Sequence, residues 1–396
     1  VKILFLSTEN PFPVDHGHHI RTYHVLRGLA KKHRIFFVGF TRDDSGLEYQ
    51  RQLRDLCEFV KIIKIRDRGF GNVISIIKNI FSSLPFVVQK YDQPVARMVI
   101  RKILADEKID LVHLDMLPLA IYRNEFGSLP CVLVNHNVES LRLARWARIE
   151  KNVALKCFLM YQQRKLKRFE KAACPRFDRC IVVSDADRAI LSKLCGAGNF
   201  VVIPNGVDID YFNCNGAAAP AGQHLVWTGS MKSPYNRDAV VFFLREIWPT
   251  IQRDIPEATV TFVGASPISE FAGKSSSVTF TGYVDDVRPH VAGATVFIAP
   301  MRAGSGTKIK VLNAMAQAKP VITTTVGAEG IDVREGEELL IANEAEEFAK
   351  KTIHLLRNSC VAQKIGLCAR RLIEKKYDWK IIELQIERLY QNITDP

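Results

Sequence analysis

Residues 299–315, Ala299-Pro300-Met301-Arg302-Ala303-Gly304-Ser305-Gly306-Thr307-Lys308-Ile309-Lys310-Val311-Leu312-Asn313-Ala314-Met315, run from an apolar strand through a Gly-x-Gly turn into a helix with two lysines at its start. Glycine lets backbone come close to a ligand, the free N–H groups of a helix start point outward, and Lys308 and Lys310 add full charges. Together they make a cradle for a diphosphate. The stretch lacks the G-x-x-x-x-G-K-[ST] spacing of a P-loop and the G-x-G-x-x-G of a dinucleotide fold, which argues against nucleoside triphosphates and nicotinamide cofactors. Taken alone, such a turn serves equally well as a structural cap, so its surroundings decide.

On either side, short β-rich apolar runs alternate with helical stripes. In the second half, strands are expected at Leu225 to Thr228, Thr259 to Val263, Val278 to Thr281, Ala294 to Ala299 and Pro320 to Thr324. Helices are expected at 237–255, 284–292 and 307–317. The first half reads strand Val1 to Leu6, loop, helix 19–32 and strand 34–40. Strands near Val60, Leu111, Cys131 and Arg179 follow, with helices at 92–107, 140–174 and 185–194. This alternation predicts two α/β Rossmann-like doubly wound domains, each with a mostly parallel sheet covered on both faces. The small, aperiodic stretch Asn213 to Gln223 separates them. The expected organisation is therefore an N-terminal domain 1–212, a linker 213–223, a C-terminal domain 224–375 and a last helix within 376–396 that returns toward the first domain.

The chain has 396 residues, enough for two cores, and its 47% hydrophobic and 24% charged content suits a soluble globular protein. No apolar run reaches the length of a membrane span, and Val1 to Ser7 reads as a buried strand rather than a targeting segment. Nine scattered cysteines without a C-x-x-C pair read as reduced packing residues, so a cytoplasmic location is expected. The net charge of +13 is uneven: residues 1–205 carry 34 basic and 20 acidic side chains, and the remainder is nearly balanced. Ten basic and two acidic residues fall between Arg142 and Lys171, interleaved with Leu, Trp, Phe and Tyr. That pattern suits a peripheral contact with an anionic membrane surface, or a solvated helix face beside a core stripe. Nothing points to nucleic acid.

The ordered set Asn205-Gly206-Val207-Asp208 with Tyr211-Phe212, Gly229-Ser230, Phe280-Thr281-Gly282-Tyr283-Val284, the Gly304 segment and Lys319-Pro320-Val321-Ile322 resembles the family 4 glycosyltransferases. Residues 10–26, beginning Asn10-Pro11-Phe12-Pro13, look like the bacterial exopolysaccharide branch of that family. The resemblance implies the GT-B fold, with two Rossmann-like domains facing a cleft, and transfer of a sugar from a nucleotide sugar to a glycan or lipid-linked hydroxyl acceptor with retention at the anomeric carbon. By the same resemblance, Gly17 lies beside the donor diphosphate, His16, His18 and Arg21 lie on the acceptor side, and His136 contacts the transferred sugar. The donor would lie against Gly229, Ser230, Tyr283, Val284, Gly304, Ser305, Gly306, Thr307 and Asn313, with Lys308 and Lys310 stabilising the leaving group.

Two departures stand out. Family members carry Glu-x7-Glu where this chain has Ser305 and Asn313, and an arginine where it has Ser230. A neutral amide at Asn313 is a weaker partner for ribose hydroxyls than a carboxylate. No cofactor and no metal are expected: the cysteines form no C-x-x-C pair, and the adjacent carboxylates Asp285-Asp286 read as exposed groups beside a helix start. Two rivals share the architecture: a nucleotide-sugar epimerase, and a non-catalytic sugar-nucleotide binding or assembly subunit.

Overall fold

The computed structural model describes residues 1–14, 17–42, 48–65, 73–196, 198–213 and 222–394. It divides into two compact units, Val1–Pro204 with Ile382–Pro396, and Asn205–Ile381. The division precedes the small-residue stretch expected as a linker, most of which (214–221) lies outside the described residues.

Unit 1 is built on seven strands: β1 (Lys2–Ser7), β2 (Arg34–Thr41), β3 (Phe59–Lys64), β4 (Leu111–Asp115), β5 (Cys131–Asn135), β6 (Arg179–Val182) and β7 (Phe200–Val202). All pair in parallel, in the order β3-β2-β1-β4-β5-β6-β7. Residues 3–6 of β1 and the whole of β4 and β5 are buried, as continuous apolar runs covered on both faces require. The order reverses between β1 and β4, where Ser7 lies beside Asp115. Of the helices, α1 (Gly17–Ala30) follows β1, α2 (Val73–Ile80) follows β3, and α3 (Glu139–Ile149) and α4 (Val153–Ala173) follow β5.

The single helix expected over 140–174 is thus two. Asn152 breaks it by capping α4, its Oδ1 accepting from the Leu155 N–H at 3.0 Å while Glu150 Oε1 accepts from the Asn152 N–H at 2.9 Å. α1 also begins at Gly17, so Gly17 and His18 belong to its first turn and not to the preceding loop.

Unit 2 repeats the plan with β8 (His224–Thr228), β9 (Thr259–Val263), β10 (Val278–Gly282), β11 (Val296–Ala299), β12 (Val321–Thr323) and β13 (Leu340–Ile341), parallel in the order β10-β9-β8-β11-β12-β13. The expected helix 237–255 is α5 (Pro234–Phe242), a π-helical turn at Phe243–Ile247 and a further helix from Trp248. Pro249 cannot donate to the ladder, and the wider turn before it absorbs the break. The diphosphate-cradle helix α6 spans Ile309–Ala316, and Lys308 is its N-cap rather than a first-turn residue. The helix expected from Val284 forms only at Arg288–Ala292, after Asp286 has captured the Arg288 N–H at 2.9 Å.

The last two helices are α7 (Ser359–Lys376) and α8 (Trp379–Thr394). α7 fixes α6 from behind. Arg370 holds the carbonyls of Ile209, Phe212 and Ala316, and Gly366 lies against the turn that ends α6. In unit 2 the Asn205–Phe212 motif is structural: Asp208 Oδ1 accepts from the Tyr211 N–H at 2.9 Å, and Gly206 packs flat on Trp379. From Ile382 on, α8 belongs to unit 1, where Glu383 pairs with Lys31 at 2.6 Å and Glu387 with His33 at 2.8 Å. Tyr390 hydrogen-bonds the buried His113, which stacks on Phe5 at 4.1 Å.

A Cβ at position 366 would sit 2.0 Å from the Ala318 carbonyl oxygen, which is backbone and cannot swing away. Gly366→Ala is therefore expected to cost about 1–3 kcal/mol and to lower the thermal midpoint by several degrees. A melting curve at the wild-type value would show that α7 slides freely on α6.

Candidate active site

In open parallel sheets, ligands bind beyond the carboxyl ends of the strands, where the strand order reverses. In each unit the polar groups collect at that place.

In unit 1 the focus is Asp115, the last residue of β4, which sequence reading passed over. The residue is 2% exposed. It accepts from His136 Nε2 at 2.6 Å and from the Thr22 hydroxyl, lies 3.4 Å from His18 Nε2, and has His113 Nε2 at 3.9 Å. These partners arrive from separate elements: His18 and Thr22 from α1, His113 from β4 itself and His136 from the loop after β5. Glu9, after β1, lies 3.8 Å from His18 Nδ1 and 3.4 Å from His19 Nε2.

Burial opposes charge on every member of this cluster, so the pairings decide who carries it. Burial alone would lower the His18 pKa, but the carboxylates of Asp115 and Glu9 outweigh it and raise it to about 9. For His136 burial prevails over the pull of Asp115, with the His18 charge acting in the same sense, and its pKa falls to about 4. Asp115 is held well below the carboxylate range despite its burial, by His136, His113 and His18. Near neutral pH His18 is the cationic imidazole of the pair and His136 is neutral. With Nε2–H given to Asp115, His136 keeps Nδ1 as an acceptor. At the end of β5, Asn135 is 2% exposed and both its amide atoms lack hydrogen-bond partners among the described residues, as befits a group facing a ligand.

Of the other expected first-domain residues, Gly17 is the exposed first residue of α1 and His16 lies outside the described residues. Arg21 does not face an acceptor. It is 1% exposed and its guanidinium donates to the carbonyls of Pro204 at 2.8 Å and Ile203 at 3.1 Å, tying α1 to the end of unit 1.

In unit 2, β8 and β11 flank the reversal. After β8, Gly229 adopts φ 143°, open to glycine alone, and a Cβ there would lie 2.6 Å from Lys310 Nζ. Lys310, in the first turn of α6, gives its amine to Asn236 Oδ1 at 2.9 Å and lies 4.0 Å over the Trp227 ring. None of the described carboxylates pairs with it. Burial first, and the neighbouring Lys308 second, lower its pKa to about 7. After β11, Gly304 (φ 122°) and Gly306 (φ 69°) bracket Ser305, whose buried hydroxyl makes no hydrogen bond among the described residues. Thr307 is also buried, and Lys308 Nζ reaches back to the Gly306 carbonyl at 2.7 Å. No side chain caps α6.

Asn313 lies one turn beyond Lys310 and is half-buried, Ser230 and Tyr283 are exposed, and Val284 packs partly into the core. The structure thus brings Gly229 to Lys310, and groups Gly304, Ser305, Gly306, Thr307 and Lys308 on one loop. Asn236 and Trp227 were missed, since an amide in a helix and a tryptophan in a strand carry no signal of their own.

Known proteins bear on this arrangement. The family model described as Glycosyltransferase Family 4 matches residues 16–211, and that described as Glycosyl transferases group 1 matches residues 222–358. The chain is a glycosyltransferase, built from these two domains. An uncharacterized 44.6 kDa protein in the cps region of Klebsiella pneumoniae is 23% identical over 96% of this chain and 97% of its own. The phosphatidyl-myo-inositol mannosyltransferase of Mycobacterium leprae is 26% identical over 54% of this chain and 59% of its own. Among solved structures, sucrose-phosphate synthase from Thermosynechococcus elongatus superposes with a TM-score of 0.73 at 18% identity, covering 99% and 98% of the two chains. HepE of Anabaena, solved in complex with UDP-glucose, gives 0.69 at 15% identity over 99% of each. The fold is that of the GT-B glycosyltransferases, two parallel-sheet Rossmann-like units. Among the described residues, no helix is long and apolar enough to cross a membrane.

One ligand atom each from His18, Asp115 and His136 lie within 4.8 Å of one another, a spacing that a metal ion could bridge. Of these atoms His136 Nε2 and Asp115 are joined by a hydrogen bond, whereas His18 Nε2, 3.4 Å from the carboxylate, makes no hydrogen bond among the described residues.

The protonation pattern fixes a pH dependence. Because the His18 pKa is raised from 6.5 to about 9 on folding, its contribution is fully present below pH 6.5 and is lost as pH rises through 9. That loss is on the order of 3 kcal/mol. His136, lowered to about 4, resists protonation, so stability also falls as pH drops below 6.5. Lys310, lowered to about 7, makes stability rise with pH over the same alkaline range, so the His18 contribution is read by difference: the melting-temperature gap between wild type and Asp115→Asn should narrow from pH 6.5 to 9. A gap that stays constant across that range would remove Asp115 as the holder of the His18 proton.

Proposed function

We propose that the enzyme transfers a hexose from a nucleoside diphosphate sugar to a hydroxyl of a growing cell-surface polysaccharide or its lipid-linked precursor, with retention at the anomeric carbon. The observation that carries the donor half of this reading is Lys310. It is a partly buried amine held by an amide oxygen and an aromatic face with a second lysine nearby, beside a glycine that leaves it room and a loop with an unused buried hydroxyl. A diphosphate supplies the negative charge and acceptor oxygens such a site lacks. HepE crystallises with UDP and UDP-glucose, which supports a uridine nucleotide as the first to try. The Klebsiella relative lies in a cps region, which supports a polysaccharide acceptor.

In this reading the bond between the anomeric carbon and the β-phosphate oxygen breaks and a bond to the acceptor oxygen forms on the same face. The acceptor's proton passes to the departing diphosphate oxygen. Lys308, Lys310 and the start of α6 stabilise the charge that develops on that oxygen. Neutral His136 orients a sugar hydroxyl through Nδ1, and Asp115 fixes its tautomer. No step is routed through a metal or cofactor. The basic helices α3 and α4 would hold unit 1 at the anionic cytoplasmic surface where lipid-linked acceptors reside.

Two measurements test the donor site. In free protein the Lys310 pKa is about 7, and a bound diphosphate would raise it, so binding should take up a proton between pH 7 and 9. Calorimetry with UDP in buffers of different ionisation enthalpy should show that uptake. Lys310→Met should abolish it and weaken binding by roughly 1.5–3 kcal/mol. Proton uptake surviving in Lys310→Met would move the diphosphate elsewhere.

Asn313→Glu should tighten UDP binding by about 1 kcal/mol, roughly fivefold, by giving the ribose hydroxyls a charged acceptor. The gain should vanish with a 2′,3′-dideoxyribose nucleotide. Equal gains with both nucleotides would take Asn313 out of contact with the ribose.

A further inference from the structure

Phe81 is 86% exposed, and beside it Ile77 and Ile80, on the outer side of α2, are about half exposed. The exposure is held in place. Asn79 is completely buried and its amide nitrogen donates to the Leu84 carbonyl at 3.1 Å and to Gln89 Oε1 at 2.6 Å, while its Oδ1 accepts from Gln162 Nε2 at 2.7 Å. Lys165 of α4 donates to the Asn79 carbonyl at 2.6 Å and Tyr161 to the Ile80 carbonyl at 2.7 Å. The backbone just before Phe81 is bolted to α4, so the ring cannot fold back into the core that Asn79 already fills.

α4 continues the same surface. Its solvent side presents Val153, Cys157 and Met160 and then Arg164, Lys167, Arg168 and Lys171, at the three- and four-residue spacing of one helix face. Val153 is 73% exposed. Because Tyr161 binds the Ile80 carbonyl, Met160 and Phe81 each lie one residue from a direct contact between α4 and α2. Apolar side chains thus occupy one end of the face and four exposed cations the other, with Lys78 also exposed on α2.

We propose that Ile77, Ile80 and Phe81, with Val153 and Met160, form a wedge that enters the acyl boundary of an anionic bilayer while the cations of α4 meet its headgroups. This rests on the reading of unit 1 as membrane-associated, and adds to it a specific insertion element. Charge selects the occupant. A second copy of this chain would bring a like-charged face against the same cations, whereas anionic headgroups complement them and the lipid interior takes the apolar side chains. The two contributions separate by salt, because headgroup attraction is screened and apolar insertion is not.

The test is co-sedimentation of the full chain with vesicles of phosphatidylcholine alone or mixed with phosphatidylglycerol, at low and high salt. Phe81→Asp should reduce partition onto the mixed vesicles about tenfold without moving the melting temperature. The triple variant Arg164→Gln, Lys167→Gln, Arg168→Gln should remove the salt-sensitive part and leave a weak salt-insensitive remainder. In a separate arm, Phe81→Trp should show an added emission component, blue-shifted on anionic vesicles and quenched by brominated acyl chains. Wild-type partition by Phe81→Asp, together with an unmoved Phe81→Trp spectrum, would overturn the wedge and leave the basic-face reading intact. Failure of the wild-type chain to bind any vesicle would overturn both. A dimer seen by light scattering that Phe81→Asp dissolves would overturn the lipid assignment in favour of a second copy.

Discussion

A parallel strand covered on both faces can offer chemistry only at its ends, because its side chains are spent on the two helical layers and its backbone on its neighbours. In both units the strand order reverses once in the middle of the sheet, between β1 and β4 and between β8 and β11. At a reversal the flanking loops leave in opposite directions and open a crevice. His18, Asp115, Lys308 and Lys310 sit at, or within one helical turn of, such a loop.

The two crevices handle buried charge in opposite ways. In unit 1, Asp115 is matched by histidines, so charge is balanced internally and the imidazoles are locked in orientation. In unit 2, Lys310 is partnered by an amide oxygen and an aromatic face, which leaves its charge largely uncompensated and its pKa depressed. A group that is costly to charge in the free protein is suited to a ligand that arrives bearing the opposite charge. The balanced site suits orientation of neutral hydroxyls, and the unbalanced one suits an anion.

Much of this was legible in the chain order of residues. The alternation of short apolar runs with helical stripes specifies parallel sheets, whereas glycine between strand and helix with lysines behind it suits an anion or a structural cap alike. His136 was singled out by the family resemblance and its polar Asn-His-Asn setting, since a lone histidine at the end of a strand is often structural. Asp115 closes β4 itself, and nothing in its local sequence marks the three histidines that gather on it from elsewhere in the chain and the strand. The split between α3 and α4 was hidden because the amphipathic pattern continues across it, and only the Asn152 cap marks the break.

The sequence by itself determined the fold class and the family, because these depend on periodicity and on local spacing, which act over a few residues. Only the tertiary structure decided which segments share a site. That Lys310 shares its environment with Gly229, Asn236 and Trp227, and that histidines 18, 113 and 136 converge on one carboxylate, follows from strand order and helix register. The structure also turned Arg21 from an expected acceptor contact into a buried brace, and exposed Phe81 by filling the space behind it with Asn79. Burial and pairing energies depend on neighbours distant along the chain, and linear spacing carries no record of them.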